Sequence, residues 1–200
     1  MKIRGIMAQA ADQALRVGEV TLRDVQPDDV LIDILYCGVC HSDLHMARNE
    51  WGVSQYPLVP GHEIVGRVVS TGQAVSEYQP GDLVGVGVMV DACGHCHFCQ
   101  QHEEQYCEAG FTPTYNGQDR YTGEMTRGGY AQNIVVDRRF VVSVPENLDP
   151  RGVAPLLCAG VTVWSPLRHF NVKSGDRVGV IGLGGLGHMA VKLASALGAE

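Results

Sequence analysis

The stretch Pro60-Gly61-His62-Glu63-Ile64-Val65-Gly66 sets an imidazole beside a carboxylate, between glycines, in an otherwise apolar segment. Such a pair is typical of a metal site when cysteines elsewhere in the chain can reach it. Two cysteines qualify, because Cys40 lies upstream and Cys158 lies far downstream. With His62 they would form a zinc site of two cysteines and one histidine with one open coordination position, which is the pattern of a catalytic rather than a closed structural site.

A second group of cysteines follows the strand-rich first part of the chain. Its members are separated by two, two and seven residues, and they are Cys93, Cys96, Cys99 and Cys107. Such short loops allow four thiolates to surround one tetrahedral ion. An iron–sulfur cluster is the main rival interpretation, but the Cys-Pro pair that closes ferredoxin motifs is absent, because Glu108 follows the last cysteine. We predict a structural zinc site, with His95 and His97 as exposed loop residues.

The composition argues against several classes of protein. The 200 residues include 15 basic and 22 acidic side chains, which give a formal net charge of −7 without any block of like charges. Binding to nucleic acid or to an acidic membrane is therefore not expected. The N-terminus lacks the apolar core of a signal peptide, and the longest nearly apolar run, residues 154–164, is shorter than the roughly 18 residues of a membrane span. We expect a soluble, cytoplasmic protein.

The cysteine count agrees with this expectation. Seven cysteines in a chain without a signal peptide favour metal binding or catalysis over a disulfide framework, because the cytosol keeps thiols reduced. The seventh cysteine, Cys37, belongs to neither proposed metal site. We interpret it as buried and inert.

Turn signals divide residues 1–144 into short strands. The predicted strands are residues 30–36, 64–69, 83–90, 133–136 and 140–144. A loop enters a short helix at residues 37–47, and residues 109–129, which are rich in Gly, Thr and Tyr, indicate a long surface loop. Many short strands at this spacing predict a compact, barrel-like β domain.

The segment from Pro145 to Pro150 is the strongest linker signal in the chain. We place a domain boundary there, between residues 1–150 and 151–200. Beyond the boundary, residues 153–170 predict one helix or a pair of helices that would carry the proposed zinc ligand at position 158.

A Gly-rich turn joins a predicted buried parallel strand at residues 177–181 to a predicted helix at residues 188–197. Its sequence is Gly182-Leu183-Gly184-Gly185-Leu186-Gly187. In such a turn the first glycine makes the tight bend, the second admits a pyrophosphate and the last allows close packing of the helix. We interpret the motif as dinucleotide binding rather than a plain Gly-rich turn. Because that fold normally needs about six strands, we expect the sequence to be a fragment of a longer protein.

These motifs, in this order, resemble the zinc-dependent medium-chain alcohol dehydrogenases over essentially the whole chain. Residues 61–66 with Gly72 and Val75 fit the signature of that family, and the four-cysteine group fits its structural-zinc lobe, here residues 91–108. The resemblance implies a mixed β and α/β fold. A GroES-like, partly open β-barrel catalytic domain would be followed by the start of a Rossmann dinucleotide-binding domain, and the chain would later return to the catalytic domain.

Two further segments resemble one group within this family most closely. Residues 37–45 and 155–162 are most similar to the cinnamyl-alcohol-dehydrogenase group, which includes broad-range aldehyde reductases that use NADPH. The resemblance therefore implies NADP(H) as cofactor, two zinc ions per chain and a small-molecule alcohol or aldehyde as substrate. It also implies a homo-oligomer in the complete protein.

The resemblance assigns roles to the proposed zinc ligands. Cys40, His62 and Cys158 would bind the catalytic zinc, and Glu63 would be a transient fourth ligand or a supporting group beside it. Asp43 would orient His62 through the second ring nitrogen. Outside this motif, a buried cysteine such as Cys158 would be interpreted as a small core residue.

Other roles concern the proton and the cofactor. Ser42 would pass the alcohol proton towards His45, His41 would face the pyrophosphate and Thr162 would lie near the nicotinamide. Outside the motif, Ser42 and His45 would be a helix cap and a surface histidine. The candidates for the substrate pocket are Trp51, which could equally be a core aromatic residue, and Met89.

The sequence thus predicts an enzyme that interconverts primary alcohols and aldehydes by hydride transfer with NADP(H), mainly as a broad-range aldehyde reductase. An NAD-dependent polyol or formaldehyde-type dehydrogenase of the same superfamily is an alternative, since the residues that discriminate the cofactors end the second Rossmann strand, beyond Glu200. A catalytically inactive zinc-binding module is a third interpretation, which applies if the protein ends at that residue.

Overall fold

A curled antiparallel sheet is the scaffold of residues 1–144 in the computed structural model, which describes all of residues 1–200. The strands are β1 (Lys2–Met7), β2 (Arg16–Thr21), β3 (Asp29–Cys37), β4 (Ile64–Thr71), β5 (Leu83–Val86), β6 (Met89–Asp91), β7 (Thr112–Pro113), β8 (Asn133–Asp137) and β9 (Val141–Ser143). The helices are α1 (His41–Ala47), α2 (His97–Gln100), α3 (Pro150–Val153), α4 (Ala159–His169) and α5 (Gly185–Ala196). No helix combines the length and the apolar character that a membrane span requires.

Five strands form the main sheet in the order β8-β3-β4-β5-β9, and every neighbouring pair is antiparallel. One face is buried because alternating residues of β3 and the start of β4, such as Val30, Ile32 and Ile64, point into a common core. The pairing of β3 with β4 shifts register after Leu31 and after Ile34, and such irregularities increase the local twist. The sheet therefore curls into a half-barrel, as the sequence predicts.

A separate hairpin, β1 with β2, closes one side of the half-barrel. Its inward residues, which include Ile3, Met7 and Val20, are buried together with Val59 from the segment that precedes the His-Glu pair. Tyr130 packs against the same cluster. The hairpin thus supports the segment on which the proposed zinc ligands lie.

The predicted surface loop at residues 109–129 is wrong in part, because residues 112–117 are buried or half-buried. Thr112, Thr114 and Tyr115 are at most 8% exposed, and β7 pairs with β6. The buried hydroxyl of Thr114 donates a hydrogen bond to the carbonyl oxygen of Gly87 at 2.5 Å, which removes the cost of burying a polar group. The predicted strand at residues 83–90 is consequently divided, since β5 joins the main sheet and β6 joins β7.

After α3 and a short 3-10 turn (Ala154–Leu157), helices α4 and α5 pack together in the second part of the chain. The predicted buried strand at residues 177–181 is wrong, because this segment joins no sheet and Ile181 is fully exposed. A parallel strand needs neighbouring strands on which to bond. Here Val178 only donates to the carbonyl oxygen of Glu200 at 2.9 Å. The predicted helix that follows the Gly-rich turn is present as α5 and begins three residues earlier than predicted.

Candidate metal and cofactor site

Cys40 occupies the position just before the first turn of α1. The carboxylate of Asp43 accepts a hydrogen bond from the backbone N–H of Cys40 at 3.0 Å, as in a capping box, which fixes the backbone from which the thiol projects. Burial opposes ionisation of this thiol, but the N–H and hydroxyl of Ser42 and the imidazole of His62 outweigh it and lower the pKa of Cys40. A thiolate, the form that binds metal, is thereby favoured.

His62 lies in the tight segment between Val59 and β4, where its side chain is 3% exposed. Its Nδ1 atom is 3.0 Å from Asp43 Oδ1, which leaves Nε2 as the ligand atom. Burial acts to lower the pKa of His62, but Asp43 and Cys158 outweigh it and raise that pKa to about 11. The negative groups around this imidazole therefore stabilise a positive charge, which the metal would supply when the neutral ring binds it.

Cys158 and Glu63 complete the first cluster. Cys158 lies at the junction between the 3-10 turn and α4, and its Sγ atom is 3.9 Å from Cys40 Sγ. Tetrahedral zinc with zinc–sulfur bonds of about 2.3 Å places two sulfur ligands about 3.8 Å apart. The ligand atoms of Cys40, His62, Glu63 and Cys158 lie within 4.8 Å of one another. Two thiolates and an imidazole suit zinc rather than magnesium or calcium, so the residues fit the ion that the sequence implies.

The second cluster is the four-cysteine lobe around α2. Its ligand atoms also lie within 4.8 Å of one another, and Cys93 Sγ is 3.8 Å from Cys99 Sγ. All seven cysteines of the chain are free thiols, and four sulfurs in this arrangement again fit tetrahedral zinc. His95 and His97 are exposed beside the cluster and are not needed to fill it.

The residues assigned to proton transfer lie on one face of α1. Ser42 Oγ is 3.6 Å from Cys40 Sγ, and His45 follows three residues later, on the same face of the helix. The His45 ring lies between those of His41 and Trp51, tilted against both, with centroid distances of 4.5 and 5.0 Å. The structure adds a partner that sequence reasoning missed, because His45 Nδ1 is paired with the carboxylate of Glu50.

A mostly apolar cavity of about 470 Å³ opens onto the first cluster. Ser42, His62, Cys158 and Thr162 line it on the polar side. Its apolar wall includes Met46, Trp51, Val88, Pro113, Tyr115 and Leu157. Met89 is not part of this wall, because it is half-buried in β6 and its neighbour Val88 faces the cavity instead. Tyr115 was missed because an isolated tyrosine in a Gly-rich segment carries no pattern.

The Gly-rich turn has the backbone that a dinucleotide motif needs. Gly182 has φ +86°, a value that favours glycine. A Cβ atom at Gly187 would lie 1.8 Å from the carbonyl oxygen of Gly182, so only glycine allows α5 to approach the turn so closely. Around Gly184 and Gly185 a Cβ atom would meet nothing within 4 Å. Leu186 and His41 are exposed, and the turn presents open backbone at the start of α5.

The half-barrel and its two cysteine-containing clusters define a medium-chain dehydrogenase scaffold. Residues 26–146 match the family of alcohol dehydrogenase GroES-like domains, and the chain belongs to this family. It is 52% identical over 201 residues to the aldehyde reductase YahK of Escherichia coli, and 51% identical over 198 residues to cinnamyl alcohol dehydrogenase 2 of Oryza sativa. These matches cover 100% and 98% of this chain but 57% and 54% of the relatives.

A solved structure also places the chain in this family. The cinnamyl alcohol dehydrogenase of Helicobacter pylori, complexed with NADP(H), superposes with a TM-score of 0.96 at 46% identity and covers 100% of this chain and 58% of its own. The predicted resemblance and the predicted fold class are confirmed. The chain spans little more than half the length of the relatives that it matches.

Proposed function

We propose that this chain provides the catalytic zinc centre of an NADP(H)-linked alcohol dehydrogenase that works mainly as a reductase of primary aldehydes. The observation that carries the proposal is the first cluster, whose four ligand atoms lie within 4.8 Å of one another and border an apolar cavity of about 470 Å³. The names of the relatives, an aldehyde reductase and a cinnamyl alcohol dehydrogenase, support the substrate class. The NADP(H) complex of the H. pylori protein supports the cofactor.

The residues of the first cluster would bind the metal and offset its charge. Cys40 and Cys158 would hold zinc with two thiolates that offset its charge, His62 would be the third ligand, and Glu63 would bind when the fourth position is otherwise free. When bound, zinc supplies a Lewis acid that polarises the substrate oxygen, and NADP(H) supplies the hydride donor or acceptor. The 1–150 segment would form the catalytic domain and residues 151–200 the start of the cofactor domain.

Neighbouring side chains would transfer the proton and bind the substrate. In aldehyde reduction the proton would travel from solvent through His45 and Ser42 to the substrate oxygen, and in alcohol oxidation it would travel in reverse. The apolar wall around Trp51 would bind the substituent of the aldehyde and exclude water. His41, Thr162 and the Gly-rich turn from Gly182 to Gly187 would bind the dinucleotide.

The chemistry of the two cysteine clusters bears on where in the cell the complete protein works. Two clusters that need reduced thiolates suit the cytoplasm, where thiols are kept reduced. We place the enzyme there as a homo-oligomer that acts on small molecules, without a nucleic-acid or membrane partner.

The direct test follows the oxidation of NADPH and NADH by the complete, zinc-loaded protein with a panel of aromatic and aliphatic aldehydes. We expect turnover with NADPH in preference to NADH, and loss of that turnover when a zinc chelator is added. Zinc-loaded protein that turns over neither cofactor would refute the proposal. Turnover that survives complete removal of zinc would refute the role of the first cluster.

A further inference from the structure

The phenol of Tyr130 lies beside the first cluster and does not line the apolar cavity. Its hydroxyl donates a hydrogen bond to Asp43 Oδ2 at 3.1 Å, and the carbonyl oxygen of Gly38 is 3.4 Å away. We propose that Tyr130 is a positioning residue for the catalytic zinc, which acts by holding Asp43 and, through it, His62 and Cys40. This inference rests on the proposed function, because it concerns the same metal site.

Four donors form hydrogen bonds with the carboxylate of Asp43. Its Oδ1 atom accepts from the N–H of Gly61 at 2.9 Å and faces His62 Nδ1 at 3.0 Å. Its Oδ2 atom accepts from the N–H of Cys40 at 3.0 Å and from the hydroxyl of Tyr130. The side chain of Asp43 is 3% exposed, so water cannot readily replace a lost donor. Two of the four donors belong to zinc ligands, and the orientation of the carboxylate is therefore shared with the metal site.

Tyr130 is the one donor of the four that can be removed without altering a ligand or the backbone beside it. The others are two backbone N–H groups, of Cys40 and Gly61, and the imidazole of His62. Burial, followed by the charge of Asp43, raises the pKa of Tyr130. The phenol thus stays protonated and remains a donor over the working pH range.

The backbone of Tyr130 is tied to the same segment as its hydroxyl. The N–H of Tyr130 donates to the carbonyl oxygen of Pro60 at 2.9 Å, and the N–H of Gly129 donates to that of Gly61 at 2.8 Å. The carbonyl oxygen of Tyr130 accepts from Ile6 in β1 at 2.6 Å. The phenol is therefore a rigid brace, with one end fixed to the backbone that leads to His62 and the other end fixed to Asp43.

The test is the rate at which each zinc ion leaves the holoprotein for a colorimetric chelator. In Tyr130→Phe, which keeps the ring and loses the donor, we expect the catalytic ion to leave about tenfold faster, since groups that support a metal ligand typically alter affinity by about 10–100-fold. The ion in the four-cysteine lobe should leave at the wild-type rate and serves as an internal control. Zinc release should show two kinetic phases, one for each ion. The phase that is missing in Cys40→Ser belongs to the catalytic ion.

Tyr78→Phe is the matched control. Tyr78 is also a half-buried tyrosine whose hydroxyl donates one hydrogen bond, to the carbonyl oxygen of Val141 at 2.6 Å, but it contacts neither cluster. We expect no change in either phase for this variant. With cobalt at the catalytic site, the visible absorption bands should shift in Tyr130→Phe and remain unchanged in Tyr78→Phe.

A double-mutant cycle tests the route through Asp43. If Tyr130 acts through this carboxylate, Tyr130→Phe should have an effect of less than about twofold on zinc release in an Asp43→Asn background. A wild-type rate for both ions in Tyr130→Phe would overturn the inference, and so would equal acceleration of both ions, which indicates general loosening. These readouts need no turnover, so a failure of the inference is distinct from a lack of NADPH oxidation, which would refute the proposed function.

Discussion

Cys40 Sγ and Cys158 Sγ lie 3.9 Å apart in space, although 118 residues separate them along the chain. The distance is close to that expected between two thiolates on one zinc ion and far longer than a disulfide bond of about 2.05 Å. The pair joins the N-terminal end of α1 to the start of α4. A metal at this point would therefore connect the two parts of the chain.

Replacement of one of these ligands should remove one zinc ion of two. We expect Cys40→Ser to reduce the zinc content from two ions to one per chain and to abolish turnover, because a lone serine hydroxyl is a poor zinc ligand. Zinc content and NADPH oxidation measure the two effects. Cys37→Ala is the control, since burial raises the pKa of Cys37 to about 12 and it is not a ligand. Two ions retained in Cys40→Ser would contradict the assignment.

The four-cysteine lobe should stabilise the fold without taking part in the reaction. In Cys96→Ser we expect the free energy of unfolding to fall by about 3 kcal/mol or more, because a lost metal site is among the largest single-residue effects. Activity per folded molecule should stay close to the wild-type value. Thermal unfolding of the zinc-loaded protein measures this, with His97→Ala, an exposed neighbour, as control. A thermal midpoint equal to that of the wild type would exclude a structural zinc site.

The ionised carboxylate of Asp119, which accepts backbone hydrogen bonds and pairs with Arg23, should affect the pH dependence of stability. Burial opposes ionisation of Asp119, but the N–H of Thr122, the charge of Arg23 and the N–H of Tyr121 outweigh it and hold the pKa of Asp119 below its ordinary value of 3.8. The stability that this carboxylate contributes is therefore present in full above pH 3.8 and is lost as the pH falls through the lower pKa of the folded state.

We accordingly expect Asp119→Asn to lower the free energy of unfolding at pH 7 by about 1–2 kcal/mol. The difference from the wild type should be constant from pH 7 to pH 5 and should shrink below pH 4. Urea unfolding at each pH measures it, and Asp24→Asn, at an exposed position, is the control. A difference that grows on acidification has the wrong sign and would disprove the ionised carboxylate of Asp119 as the source.

The wall of the cavity should discriminate between aldehydes by size. Trp51 lines the cavity and stacks on His45, so we expect Trp51→Ala to raise KM for aromatic aldehydes about tenfold, which is the effect of a large lost apolar contact. The KM for acetaldehyde should change by less than about twofold. Val53→Ala removes an exposed side chain nearby and should alter neither. Equal effects on both substrates would remove Trp51 from the substrate pocket.

The sequence was sufficient to predict the half-barrel and the grouping of cysteines. Metal-ligand chemistry requires particular residue types, so His62 and Cys40 could be chosen before their distances were known. The spacing from Cys93 to Cys107 is local and directly predicts a lobe. The burial of Thr114 could not be predicted, because its hydroxyl is satisfied by Gly87, which only tertiary structure brings near.

Side-chain pairings that the sequence pattern does not record account for the remaining differences. Glu50 meets His45 because the chain turns at the end of α1. Tyr130 meets Asp43 because a segment distant in the sequence packs against this helix. The strand predicted at residues 177–181 has the right apolar composition, but a strand also needs neighbours. Composition describes what a segment can bury and not whether a partner is present.

The positions of the ligands along the chain also give an order of metal loading during synthesis. All four sulfur ligands of the lobe have been made by Cys107, whereas the catalytic set waits for Cys158, about 50 residues or 3–10 seconds later at ordinary rates of translation. Until then the proposed site around Cys40 and His62 would lack one thiolate, and we expect it to bind zinc weakly. We therefore expect a nascent chain to direct its first zinc ion to the lobe and its second to the proposed catalytic site.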